Sequence, residues 1–176
     1  PKVKRNTFNI SGKIGIDCIL ETLKRKIENS DKIENHIWFI KGRTGSGKSS
    51  CMPTRIFEYM DKTFKDIVVD VVEPRVILAK SISSDNCNIP GAYVKMGYNT
   101  GYATGKGKTN IKNKSKLLYM TPEIFRNKLV SNSTGNICII DECHDMDLSL
   151  ILSMYLIKEY LKDQTIKTRD KPIFIF

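Results

Sequence analysis

Apolar positions along the chain fall into two kinds of pattern. The first is a set of short continuous runs: His36–Ile40 (HIWFI), Ile67–Val72 (IVVDVV), Lys116–Met120 (KLLYM), Ile137–Ile140 (ICII) and Pro172–Phe176 (PIFIF). Each is too short for a helix and reads as a strand, with HIWFI, IVVDVV and ICII reading as buried ones. The second pattern is helical. Ile16, Ile19, Leu20, Leu23 and Ile27 recur at helix spacing and predict a helix over 16–29, broken by Asn29-Ser30-Asp31. A helix is predicted over 48–60, with Pro53 in its first turns, where proline is tolerated. Val76–Ser81 reads as a helix after Glu73-Pro74-Arg75. Pro122–Leu129 reads as one capped by Thr121. Leu148–Leu161 is a strongly apolar helix. Residues 1–13 are basic and irregular, an arm preceding a domain over 14–176. Residues 86–114 are rich in Gly, Asn, Thr, Tyr and Lys and predict short strands and loops. Strands alternating with helices predict an α/β fold, a mostly parallel sheet covered by helices on both faces.

Composition narrows the function. The 176 residues suit one domain. Lys and Arg number 29 against 19 Asp and Glu, a net charge of +10, which points to a polyanionic partner, nucleic acid before membrane. The 5 cysteines (Cys18, Cys51, Cys87, Cys138, Cys143) are scattered, with no CxxC pair, and there are only 2 histidines. That excludes a disulfide framework and a zinc site and suggests an intracellular, reducing compartment. The longest apolar run, Leu148–Ile157, is interrupted by Ser149 and Ser153 and is short of a membrane span. No acidic residue lies between Asp85 and Glu123. That interval carries Lys95, Lys106, Lys108, Lys112, Lys114 and Lys116, with Tyr93, Tyr98, Tyr102 and Tyr119 interleaved. Lysines neutralise phosphates and tyrosines stack on single-strand bases, so this interval is a candidate nucleic-acid surface.

Two motifs carry chemistry. Gly42, Arg43, Thr44, Gly45, Ser46, Gly47, Lys48 and Ser49 fit G-x-x-x-x-G-K-[ST] in full, between a predicted strand and a predicted helix. Glycines let the backbone N–H groups curl toward phosphate oxygens, and the helix N-terminus adds its partial positive charge. Lys48 would reach the β- and γ-phosphates of ATP, and the Ser49 hydroxyl would take a place on Mg²⁺. The ICII strand ends in Asp141-Glu142, at the edge of an α/β sheet where ligands bind. Asp141 would hold Mg²⁺, and Glu142 would orient and deprotonate the attacking water.

GRTGSGKSS together with Asp141-Glu142-Cys143-His144 resembles the DExH (DEAH-like) branch of superfamily 2 helicases. Further elements match in order. Pro74-Arg75 resembles the branch's "PR" motif, and Tyr119-Met120-Thr121-Pro122 its "YMT" strand and turn. Gly101-Tyr102 falls in its "VGY"-like region, and Pro53 matches a usual proline. The chain is most similar to the nucleic-acid-dependent triphosphatase helicases of large DNA viruses, poxvirus type. That would place it in host cytoplasm or virion. The resemblance implies an N-terminal RecA-like, phosphate-loop NTPase domain, with a second RecA-like domain supplying arginine fingers. It implies contacts of Pro74, Arg75, Thr121 and Pro122 with single-stranded RNA or DNA. It also implies that His144 couples hydrolysis to the strand. Cys143 stands where DEAH proteins carry Ala. The branch's Ser-Ala-Thr motif, expected after the last strand, is not in this chain. On this reading the chain is a fragment that binds nucleotide and turns it over weakly alone. Two alternatives stay open. One is a DExH-like ATPase subunit of a viral transcription or packaging machine without unwinding. The other is a phosphate-loop kinase, disfavoured by only 7 arginines, none clustered.

Overall fold

The structure, a computed structural model, describes residues 7–9, 13–28, 36–43, 45–144 and 148–176. Strands β1 (Thr7–Asn9), β2 (Ile37–Lys41), β3 (Val68–Val72), β4 (Thr100–Thr104), β5 (Gly107–Lys108), β6 (Lys116–Met120), β7 (Ile137–Ile140) and β8 (Ile173–Ile175) form one sheet. Its order is β1-β2-β8-β7-β3-β6-β4-β5. Every neighbouring pair is parallel except the hairpin β4–β5. The helices are α1 (Lys13–Glu28), α2 (Cys51–Thr63), α3 (Val76–Cys87), α4 (Pro122–Val130) and α5 (Leu148–Lys162).

Alternation along the strands sorts the apolar side chains onto two faces. Val69, Val71, Leu117, Tyr119, Ile137 and Ile139 pack with Ile19, Leu23, Ile56, Phe57 and Ala79 of α1, α2 and α3. Val72, Met120, Cys138, Ile140 and Phe174 pack with Phe125, Leu129, Ile157 and Leu161 of α4 and α5. Trp38, Phe57, Tyr119, Phe125 and Phe174 are fully buried, each worth roughly 1.5–3 kcal/mol of transfer free energy. The buried Lys171 ammonium donates to the carbonyls of Leu161 and Asp163, both at 2.6 Å, closing the C-terminus of α5 just before β8.

The predicted α/β sheet, covered on both faces, is the one observed. Four details differ. Part of the predicted irregular arm, Thr7–Asn9, is a strand paired with β2. Helix α2 starts at Cys51 rather than Lys48, because residues 48–50 are still turn. Helix α3 runs to Cys87 rather than Ser81. In the added turns Ser83 and Asn86 are buried, and Asn86 Nδ2 donates to the Tyr119 hydroxyl at 2.9 Å. Tertiary contact there overrides local propensity. Strand β2 alternates rather than being buried throughout, with Phe39 42% exposed. Predicted residue 29 of α1 lies outside the described residues.

Candidate active site

The phosphate-loop motif leaves β2 and turns back over itself before α2. Gly45 (φ 76°) and Gly47 (φ 81°) take the left-handed backbone that L side chains rarely adopt. Ser46 N–H donates to the Arg43 carbonyl at 3.1 Å, and the N–H groups of Cys51 and Met52 both donate to the Gly47 carbonyl at 2.9 Å. Lys48 curls inward, its ammonium donating to the carbonyls of Gly42 at 2.8 Å and Arg43 at 2.9 Å. A β-carbon at Gly42 would stand 2.8 Å from Ser46 Oγ, so the loop closes around that position. Thr44 lies outside the described residues.

The tip of β7 faces this loop. A cleft of about 570 Å³ brings Gly42, Gly45, Gly47, Lys48 and Ser49 together with Asp141, Glu142 and His144. Its rim carries Phe39 and Phe176, stacked at 5.4 Å between ring centroids. Asp141 Oδ1 accepts from the Glu142 N–H at 2.8 Å, while Oδ2 is buried with no hydrogen-bond partner. Glu142 has φ 49°, a costly conformation for a side chain of this size. Its Oε2 lies 3.2 Å from His144 Nδ1, in a pair largely open to solvent. The orphaned Asp141 oxygen and the Ser49 hydroxyl are hard oxygen donors on one cleft, a set that suits Mg²⁺. No group of three or more His, Cys, Asp or Glu able to hold a metal occurs among the described residues. Mg²⁺ does not need one, because it keeps waters and takes oxygens from substrate phosphates.

The remaining predicted residues follow along the sheet edge. Since β7, β3, β6 and β4 are parallel neighbours, their C-terminal ends stand in a row: Asp141-Glu142, Pro74-Arg75, Thr121-Pro122, then the β4–β5 turn with Lys106. Glu123 Oε2 lies 3.7 Å from where a β-carbon would stand at Gly105, so that turn abuts the start of α4. Arg75, Lys106 and Lys108 are exposed, whereas the side chains of Thr121 and Pro122 are buried. Thr121 holds the N-cap position of α4, but its side chain makes no capping bond, and the hydroxyl is buried without a partner.

The acid-free interval is not one surface. Lys106 and Lys108 belong to the hairpin at the C-terminal edge. Lys112, Lys114 and Lys116 lead into β6 from the opposite edge, where Lys112 N–H meets the Gly97 carbonyl at 3.3 Å. Its tyrosines are mostly engaged elsewhere. Tyr119 is fully buried. Tyr93 donates to Asp61 at 2.6 Å, and the Lys80 ammonium sits over the Tyr102 ring at 5.2 Å. Tyr98 is 53% exposed.

Sequence reasoning missed two buried acids, Asp70 and Glu73. Asp70 was visible as a lone acid inside a β-branched run. Glu73 was visible as the residue one step past β3, level with Asp141 one step past β7. Burial, then the charges of Asp141 and Glu142, push the Glu73 carboxyl up to about 8. Among the described residues no helix is long and apolar enough to cross a membrane.

Known proteins share both the sequence pattern and the fold. The chain is 29% identical over 135 residues to an ATP-dependent RNA helicase of Acanthamoeba polyphaga mimivirus, covering 74% of this chain and 19% of that protein. It is 29% identical over 156 residues to the ATP-dependent RNA helicase TDRD9 of Danio rerio, covering 84% of this chain and 11% of that one. The chain thus spans a fifth or less of these relatives. The crystal structure of Escherichia coli DEAH/RHA helicase HrpB superposes with a TM-score of 0.67 over 91% of this chain and 19% of that one, at 18% identity. The family model for the DEAD/DEAH box helicases matches residues 20–172, nearly the whole chain, and to that family this chain belongs.

Proposed function

We propose that this chain is the ATP-binding half of a nucleic-acid-dependent NTPase that couples hydrolysis to movement along, or unwinding of, RNA or DNA. The observation that carries the reading is the cleft in which Lys48 and Ser49 of the phosphate loop meet Asp141 and Glu142 at the tip of β7. Backbone N–H groups of the loop and the start of α2 cradle the phosphates. Lys48 exchanges its two loop carbonyls for phosphate oxygens. Ser49 and Asp141 would hold Mg²⁺, which neutralises charge on the phosphate oxygens. Glu142 accepts a proton from the attacking water, and its strained backbone sets its aim into the cleft. His144, bonded to Glu142, couples that acid to the strand.

Strand contact belongs to the neighbouring stretch of the same edge: Pro74-Arg75, the backbone of Thr121-Pro122, and Lys106 with Lys108. A second RecA-like domain, closing over the cleft, supplies arginine fingers, each class of which is worth about 10³–10⁵ in rate. The mimivirus relative favours RNA as the strand.

Hydrolysis by the intact protein, with and without single-stranded RNA or DNA, tests this reading. Stimulated hydrolysis is expected, and Lys48→Ala should abolish nucleotide binding. A wild-type protein that no strand stimulates, or a Lys48→Ala variant with retained affinity, would overturn it.

A further inference from the structure

Three buried side-chain atoms have no hydrogen-bond partner among the described residues: Glu73 Oε1, Thr121 Oγ1 and Asp141 Oδ2. They follow three different strands, yet they are neighbours. Val72 of β3 is in register with Met120 of β6 and with Ile140 of β7. One residue further on, Thr121, Glu73 and Asp141 make the next row. The ladder reaches into that row. Glu73 N–H donates to the Met120 carbonyl at 2.8 Å, and Asp141 N–H donates to the Val72 carbonyl at 3.1 Å. Neighbouring strands lie about 4.8 Å apart, and side chains of one row share a face. That face is the one presented by Val71, Tyr119 and Ile139.

Glu73 stands in the middle of the row, only 1% exposed. Buried polar atoms in proteins are paired as a rule, so three orphans side by side mark a cluster kept for something other than stability. Each member leads directly into a different working segment. Glu73 precedes Pro74-Arg75, Thr121 precedes Pro122, and Asp141 precedes Glu142. Glu73 stands one strand spacing from each neighbour, so its carboxyl is placed to meet Asp141 on one side and the Thr121 hydroxyl on the other.

Building on the function proposed above, we propose that Glu73 is a positioning residue that ties the Pro74–Arg75 and Thr121–Pro122 turns to Asp141. A strand seated on those turns is thereby felt at the hydrolytic acids. Thr121 is its second anchor. The row makes the coupling short: one strand spacing on either side, with no helix in between.

The test measures basal and strand-stimulated ATP hydrolysis of the intact protein, together with affinities for ATP and for a single-stranded RNA oligonucleotide. Glu73→Leu fills the same space without polarity. Its ratio of stimulated to basal rate should fall about tenfold, while both affinities stay within about threefold. Glu73→Gln keeps a polar end of the same size and should keep the ratio. Thr121→Val should lower the ratio and Thr121→Ser restore it, which decides the matter if Glu73→Leu does not fold. Undiminished ratios in Glu73→Leu and Thr121→Val, with a stimulated wild type, would overturn this proposal alone. A merely structural role would lower affinities and both rates together, and would also overturn it. A wild type without stimulation would overturn the function and this coupling with it.

Discussion

Asp70, within β3, and Glu73, one step past its end, are three residues apart, equally buried, and opposite in character. Asp70 points to the α4 face. Its two oxygens accept from the Lys128 ammonium at 2.7 Å and 2.6 Å, and Oδ2 also accepts from the Gly135 N–H at 2.6 Å. Gly135 permits this approach, since a β-carbon there would stand 2.6 Å from the Val68 carbonyl oxygen. Burial pushes the Asp70 carboxyl up, and Lys128 and Gly135 oppose it. Glu73 points to the α2 face beside Asp141. Oε1 of Glu73 and Oδ2 of Asp141 have no partner, and its charged neighbours Asp141 and Glu142 repel its ionised form. A closed ion pair in mid-sheet fixes how α4 and the turn before β7 seat on β3. Open acids at the strand ends hold capacity for something the chain binds. Burial alone does not separate structural acids from functional ones; completeness of pairing does.

The largest expected effect falls on the closed side. Lys128→Met strands the Asp70 carboxyl with one N–H donor and should cost about 3–5 kcal/mol of stability, read by chemical denaturation. Nucleotide affinity should be unchanged in the folded variant. A loss below about 1 kcal/mol would break the comparison, because Asp70 would then not depend on its partner.

A smaller effect is expected on the open side, and its sign is set by Glu73. The folded state holds this carboxyl's proton up to about pH 8, whereas the unfolded chain releases it near 4.5. The folded state therefore binds the proton more tightly. Its contribution to stability is fully present below the unfolded value and is lost as pH rises through the folded one. In the absence of nucleotide and Mg²⁺, wild type minus Glu73→Gln should lose about 4–5 kcal/mol between those limits. Parallel pH–stability curves for the two proteins would show that Glu73 is not held in its acid form.

The sequence made the architecture legible because continuous apolar runs such as ICII and IVVDVV suit a parallel sheet buried on both faces. It made the phosphate loop legible because Gly45, Gly47 and Lys48 sit at spacings that the backbone geometry requires. Other features were out of reach for physical reasons. Strand β1 has only three residues and depends on β2 for its pairing. The Lys106–Lys116 stretch looked continuous because sequence cannot show that the β4–β5 hairpin turns the chain back to the opposite edge. The row of Thr121, Glu73 and Asp141 exists only through the register of three strands far apart in the chain.

We propose that the cleft between the phosphate loop and β7 hydrolyses nucleotide with Glu142 as base. Glu142→Gln in the intact protein tests it most directly. ATP affinity should stay within about threefold, while strand-stimulated turnover falls about 10²–10⁴-fold. Turnover near the wild-type rate would contradict the account.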